Sequence, residues 1–199
     1  MSGGYGLDAL QFLIGTLVDL YALVLVLRFM LQATGADYYN PLAQFVVRVT
    51  RPVLGPLRRV IPSRGRYDLS AVVALLLLML AKLLLFRLAD IPYTVIFGNA
   101  VGIEHVWLGS LAWLAVVDAI VLVINVWFFA VLIRAILSWI SPAGYNPVAE
   151  VLDRITDPLL RPVRRFIPLV GGIDLSPLAV LIGLQVLKML LVPPLLMLA

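Results

Sequence analysis

No cysteine occurs anywhere in the chain. Disulfides, iron–sulfur clusters, thiol catalysis and covalent haem attachment through Cys-x-x-Cys-His are therefore all excluded. Histidine is almost as scarce. His105 stands alone, so one chain cannot build a His-based zinc site or a bis-histidine haem. Charged residues make up 13% of the chain against about 25% in a soluble domain. No basic residue precedes the first apolar run, so that run reads as a retained anchor rather than a cleaved leader. Apolar residues fill 63% of the chain, with a mean hydropathy of +1.07. A water-soluble fold averages about 45–50% apolar.

What is abundant is repetition. Tyr39-Asn40-Pro41 through Asp68-Leu69-Ser70 recurs without a gap as Tyr145-Asn146-Pro147 through Asp174-Leu175-Ser176. Arg28 falls on Arg134, Thr50 on Thr156, Pro52, Pro56 and Pro62 on Pro158, Pro162 and Pro168, and Lys82 on Lys188. Roughly two positions in five are identical across the stretch from Arg28 to Leu85, which marks an internal duplication.

These residues carry a resemblance. Two copies of Tyr/Phe-Asn-Pro, Thr-x-Pro, Arg-Arg, Ile-Pro and Asp-hydrophobic-Ser, each set between apolar segments, resemble the YggT family of small integral membrane proteins. The resemblance runs from about Leu13 to the last helix. It implies a bacterial setting of cell division, envelope, osmotic or potassium stress, or a plastid one of cytochrome b6 maturation and nucleoid or thylakoid organisation.

The expected fold is all-α and polytopic. Four transmembrane helices come from two parallel repeats, each with an interfacial amphipathic loop helix. Repeat 1 covers 7–90, a connecting segment 91–106 and repeat 2 107–199. The first span runs from Leu7 to about Ala33, the second from about Ala71 to Leu88, and the last from Pro177 towards Pro193-Pro194. Each is close to the roughly 20 residues a hydrocarbon core requires. Trp107 to Ile140 would be about 50 Å long if wholly helical, so part of it should lie on the surface or project; a fifth span within 91–140 is the rival. Pro92, Gly98 and Gly102 punctuate the connecting segment.

In each loop Asn40-Pro41 or Asn146-Pro147 should start a short helix, with asparagine as N-cap and proline where its missing N–H costs nothing. Leu42, Phe45, Val46 and Val49, and Val148, Val151, Leu152 and Ile155, fall on one helical face. Pro52, Pro56 and Pro62 should then interrupt the run, leaving a second small turn around Leu57, Val60 and Ile61. Asp68 or Ser70, and Asp174 or Ser176, should cap the next helix. Arg48, Arg51, Arg58, Arg59, Arg64, Arg66, Arg154, Arg161, Arg164 and Arg165 all fall in these loops. The positive-inside rule therefore places both loops in the cytoplasm of a bacterial inner membrane and both termini outside.

Lys82 and Lys188 stand out chemically. Each lies about 18 Å into its helix by helical rise, where a lysine costs about 2.5–3.5 kcal/mol and needs a partner or water. Asp19 and Asn125 fall at matching depth, so the expectation is one intramembrane polar cluster of Asp19, Lys82, Asn125 and Lys188 on a pseudo-twofold axis. Snorkelling to the interface is the alternative. Arg28 and Arg134 should reach lipid phosphates or pair with Asp68 and Asp174. Arg58-Arg59 and Arg164-Arg165 should bind anionic headgroups or an unidentified protein partner. Nucleic acid is not expected, because no stacking aromatics interleave with the arginines. His105, Ser110 and Asp118 fall close in sequence but at spacings unlike a catalytic triad, and Gly171-Gly172 reads as a turn, not a phosphate loop. No cofactor, metal or enzymatic activity is expected. The leading expectation is a scaffold or assembly factor, and the alternative is a small channel or transporter component using Lys82, Lys188 and Asp19. Homo-oligomerisation stays open.

Overall fold

The computed structural model describes residues 3–61, 65, 67–140, 146–167 and 174–199. Pro62, Arg64, Arg66, Tyr145, Pro168 and the Gly171-Gly172 turn lie outside the described residues. The elements in chain order are α1 (Gly3–Thr34), α2 (Pro41–Val60), α3 (Leu69–Leu88), β1 (Tyr93–Ile96), β2 (Asn99–Gly102), α4 (Leu108–Ile140), α5 (Pro147–Arg164) and α6 (Ser176–Met197). Among the described residues, α1, α3, α4 and α6 are long and apolar enough to cross a membrane. The fold is an all-α polytopic membrane architecture of two tandem helix–loop helix–helix units, with one short hairpin between them.

No fifth span exists among the described residues of the 91–140 stretch. Leu108 to Ile140 is one unbroken helix, and the connecting segment is an antiparallel hairpin pairing Tyr93 with Gly102 and Ile96 with Asn99. Thr94 and Ile96 face inward while Val95 faces out, and Ile91 and Ile103 flank the hairpin in the core. Its two turn residues, Phe97 and Gly98, both have positive φ (51° and 76°), as a primed hairpin turn requires. Asp90, also left-handed at φ 53°, closes α3: the Ile91 N–H reaches back to the Phe86 carbonyl at 2.9 Å.

Four of the loop prolines, Pro52, Pro56, Pro158 and Pro162, do not interrupt their helices. α2 runs through Pro52 and Pro56, and α5 through Pro158 and Pro162, so the expected second turn is absent. A spacing of four puts both α2 prolines on one side, about half a turn from Ala43, Val46, Thr50 and Leu54, the side buried against the bundle. The carbonyls they leave unbonded face outward, and burial of the opposite side holds the helix together. The Thr50 hydroxyl donates to the Val46 carbonyl (2.8 Å), and Thr156 to Leu152 (2.7 Å), so both buried threonines are satisfied within their own helix. α6 likewise continues through Pro193 and Pro194 to Met197. There the Trp113 indole donates to the Leu195 carbonyl at 2.8 Å, adding to the long 3.4 Å bond that this end group accepts from the Leu198 N–H.

The expected apolar face of α2 splits in two. Val46 is buried, Leu42 and Val49 are half-buried, and Phe45 is exposed. In α5 the counterparts of Phe45 and Val49, Val151 and Ile155, are buried because α5 also packs on α1 and α2 of the first repeat. Val148 is exposed. This asymmetry extends through the bundle. α3 packs on α4, but α6 makes no contact with α1. A closed twofold would match each α3–α4 contact with an α6–α1 contact, so the expected pseudo-twofold does not hold. The main apolar core draws most of its residues from α1, α3, α4 and the hairpin, and Ala43 and Val46 of α2, Val151, Leu152 and Ile155 of α5 and Val192 of α6 join it.

Asn40 joins the two loop helices. Its Oδ1 accepts from the Leu42 N–H (3.0 Å), and its Nδ2 donates to the Pro147 carbonyl (2.8 Å) and to Glu150 Oε2 (3.3 Å) in α5. Asn146 caps only its own helix, at Val148 N and Ala149 N. Asn146→Ala should therefore cost about 1 kcal/mol, an ordinary cap. Asn40→Ala should cost about twice that, since it also breaks the tie between the helices. Thermal unfolding of the two variants side by side measures the difference.

Candidate functional site

The deepest polar residues of the bundle form two separate groups, not one cluster. In repeat 1, the Lys82 ammonium donates to Asp19 Oδ1 at 2.8 Å and to Asp118 Oδ2 at 2.5 Å. In repeat 2, Lys188 donates to Asn125 Oδ1 at 2.8 Å. Both first-helix partners lie 63 residues before their lysine, so the duplicated geometry is retained. Lys82 and Lys188 are both buried, at 4% and 6% exposure, and neither snorkels. Lys188 also lies over the rings of Phe97 (5.0 Å) and Phe128 (5.6 Å). Phe97 belongs to the hairpin turn, so the hairpin reaches back to this lysine.

Asp118 is the residue that sequence reasoning missed. Weighed only beside His105 and Ser110 as a poor catalytic triad, it sits on α4 against Lys82. The available signal was an acid in the middle of a long apolar run, which by itself predicts a buried partner. Its counterpart in repeat 1 is Phe12, which is 76% exposed, so the sequence breaks the repeat symmetry here. Asp19 is less enclosed than Asp118, with side chains 48% and 12% exposed. A cavity of about 330 Å³ at the hairpin end reaches both Asp19 and Lys82, and Asp8, Gln11, Thr16 and Tyr93 line its mouth.

At the opposite end, each repeat ties its loop helix to the start of the next span. Arg58 pairs with Asp68, whose Oδ1 accepts the Ser70 hydroxyl, and Arg164 Nε donates to Asp174 Oδ2 at 2.9 Å. Asp68 and Asp174 are thus taken by the loop arginines, not by Arg28 and Arg134 as the alternative reading had it. Arg134 pairs with Asp153 of α5, while Val47 stands at the equivalent place in α2. Arg28 makes no hydrogen bond among the described residues. The caps also differ from expectation. Asp174 Oδ1 accepts the Ser176 N–H at 2.9 Å, whereas the Ser176 hydroxyl is buried without a partner. Burial pushes the Asp68 carboxyl up, but the Ser70 hydroxyl and the Arg58 guanidinium outweigh it and hold it below the usual carboxylate range. At Asp174, burial is likewise outweighed by the Ser176 N–H and Arg164.

The remaining arginines face outward. Arg48, Arg51 and Arg59, with Pro52, Gly55 and Pro56, line an open hollow of about 560 Å³ on α2. None of the three makes an ion pair among the described residues. Arg165 is exposed at the end of α5. Arg134, Arg164 and Asp174 border a second cleft of about 550 Å³ between α4, α5 and α6.

Two predictions follow from unequal partners at equivalent places. Lys82→Met leaves two carboxylates uncompensated and should cost about 3–5 kcal/mol, whereas Lys188→Met strands only an amide and should cost about 1–3 kcal/mol; denaturation in detergent compares them. Arg58→Ala exposes the buried Asp68 to an unpaired state and should cost about 1.5–3 kcal/mol, while the more exposed Arg164–Asp174 pair should contribute at most about 1 kcal/mol. Both carboxyls are more acidic folded than unfolded. Their contribution is present above the unfolded value of about 3.9 and drains as pH falls through the folded values. The stability gap between Arg58→Ala and wild type should therefore close under acid, as a pH series of melting curves would record.

The family model described as CCB3/YggT matches residues 7–89 and 113–195, the two repeats. The uncharacterized protein in the proC 3′ region of Vibrio alginolyticus is 42% identical over 179 residues, 90% of this chain and 91% of that one. The uncharacterized protein YggT of Escherichia coli K12 is 40% identical over 184 residues, 92% of this chain and 89% of its own. The chloroplastic YlmG homolog protein 2 of Arabidopsis thaliana is 33% identical over 69 residues, 35% of this chain and 27% of that one. No solved structure matches the chain. The chain belongs to the CCB3/YggT family and carries its unit twice in tandem.

Proposed function

We propose that this protein is a non-enzymatic scaffold or assembly factor of the bacterial inner membrane, binding anionic lipid headgroups and a protein partner through α2 and α5. The observation that carries the reading is the division of labour among the arginines. Arg58, Arg134 and Arg164 are spent on internal carboxylates, while Arg48, Arg51 and Arg59 surround an open hollow with no acid of their own. Three exposed guanidiniums on a proline-containing helix beside the apolar spans suit headgroup phosphates. On α2, Phe45, Val53 and Val60 are exposed on a different side from the arginines, which suits a helix lying at the interface. In this placement both loop helices face the cytoplasm and both termini the outside, by the positive-inside argument. Envelope, division or osmotic-stress roles are the setting that the family resemblance suggests for such a scaffold.

A second reading, a small channel or transporter component, draws on the cavity that reaches Asp19 and Lys82. The two readings make different residues sensitive. Basic residues near an anionic leaflet contribute about 1 kcal/mol each. Replacing Arg48, Arg51 and Arg59 together by glutamine should therefore weaken anionic-lipid retention on the order of a hundredfold. Native mass spectrometry of protein taken from phosphatidylglycerol-containing membranes would read this, against phosphatidylcholine as the neutral control. Equal retention of both lipids, unchanged in the triple variant, would sink the scaffold reading at its lipid-binding step. Ion flux into proteoliposomes that disappears in Lys82→Leu would favour the second reading.

A further inference from the structure

The group around Lys82 is out of charge balance. One ammonium faces two carboxylates, Asp19 on α1 and Asp118 on α4, and the lysine is 4% exposed. The charged and titratable groups near it can be named element by element. α1 contributes Asp19, with Asp8 at the cavity mouth; α3 contributes Lys82; α4 contributes Asp118; and the hairpin contributes Tyr93, hydrogen-bonded to Asp8 at 2.9 Å. Lys188 of α6 is held by Asn125, two helical turns along α4 from Asp118 or about 10 Å by helical rise. It bonds to neither carboxylate. With all three groups ionised, the set carries one net negative charge, and its enclosed part, Lys82 with Asp118, lies where an unpaired charge is costly.

The cavity beside the set supplies a route for removing that charge. The cavity opens at the hairpin end, and Lys82 lies six residues before Leu88, about 9 Å from that end of α3. Asp8, Gln11, Thr16 and Tyr93 line the cavity together with Asp19 and Lys82, beside apolar Phe12, Phe86 and Val95. Repeat 2 serves as an internal contrast. There Asn125 replaces the first carboxylate, and phenyl rings rather than a second acid meet the lysine.

We propose that Asp19, Lys82 and Asp118 form an exchangeable proton site, loaded from the hairpin-end cavity. One proton passes from a hydronium ion in cavity water to a carboxylate oxygen: an O–H bond of the hydronium breaks, a carboxylic O–H bond forms, and a water molecule is released. One ammonium, one carboxylate and one carboxylic acid remain, and the net charge of the set goes from −1 to zero. Lys82 bridges the two acids, so either can take the proton while the other keeps the ion pair. The site differs from the arginine hollow in place and chemistry, and neither proposal depends on the other.

The test is infrared difference spectroscopy of the full-length protein in proteoliposomes, titrated with acid and followed at the carboxylic C=O stretch. The expected result is a reversible band equivalent to one carboxyl, lost in Asp118→Asn or Asp19→Asn and kept in the loop control Asp157→Asn. Circular dichroism checks that each variant is folded. If Asp118→Asn does not fold, Asp19→Asn carries the test, since its half-exposed carboxyl tolerates an amide better. Absence of the band over the range in which the wild type stays folded would overturn the proposal, as would a band that survives both variants. A midpoint pH that shifts when sodium or potassium is varied at constant ionic strength would also overturn it, by assigning the site to a metal cation.

Discussion

An ammonium in hydrocarbon costs about 2.5–3.5 kcal/mol on insertion scales, and the packing of α1, α3 and α4 follows from how Lys82 meets that cost. Its two bonds go to different helices, Asp19 on α1 and Asp118 on α4. One comes from its own repeat and one from the other repeat. The ammonium thus fixes the α1–α3 pair and docks repeat 2 onto it. Between apolar helices in lipid, packing of Leu on Leu carries little directional information, and interhelical polar bonds supply it. Met79, Leu83 and Phe86, all almost wholly buried along α3, fill the space around that bond.

Duplication explains the parts list, and divergence explains the assembly. Both repeats retain the Asn-Pro start of the loop helix, the in-helix threonine bond, the Arg–Asp tie across ten residues and the lysine bonded to the first helix. At the lysine, the contact between the repeats uses a partner that is not shared: Asp118 stands where repeat 1 has Phe12. Within repeat 2, Asp153 holds Arg134 where α2 has Val47. Asn40 is shared in sequence, yet only the first copy spans to the other loop helix. Identical units cannot contact each other head to tail without placing equivalent residues in different surroundings. The unmatched α3–α4 packing is that situation, and Asp118 sits along it.

The same distinction sets what the sequence reveals. Features internal to a repeat were legible: four spans, the Asn-Pro caps, and the matching depth of Asp19, Lys82, Asn125 and Lys188 all follow from hydropathy, spacing and helical rise, although the single cluster expected from that depth divides into two pairs. Features that depend on long-range packing were not. Proline normally ends a helix, but Pro52 and Pro56 are tolerated because the opposite side of α2 is anchored in the bundle. The hairpin carried a weak local signal, the β-branched Thr94-Val95-Ile96 before Gly98-Asn99, and was obscured by Phe97 at a position that usually takes asparagine, aspartate or glycine. Asp118 was visible as an acid in an apolar run, but nothing local says which of two lysines it meets.

Phe97 connects these strands of argument. A bulky side chain at φ 51° holds a conformation of low population, and such positions persist where the surroundings determine them. The surroundings here are Lys188, whose ammonium sits 5.0 Å from the Phe97 ring centre. Repeat 2 has lost the carboxylate that repeat 1 uses, and Asn125 offers a dipole in place of a charge. A desolvated ammonium gains about 2 kcal/mol from an aromatic face, which offsets part of that loss and the strain of the turn. The hairpin therefore completes the second lysine site, just as Asp118 of α4 completes the first. Each lysine inherits one partner from the ancestral repeat and recruits another from outside it, and the two recruited groups give the sites opposite net charge. Two sites that began as copies now differ in whether they can take up a positive charge.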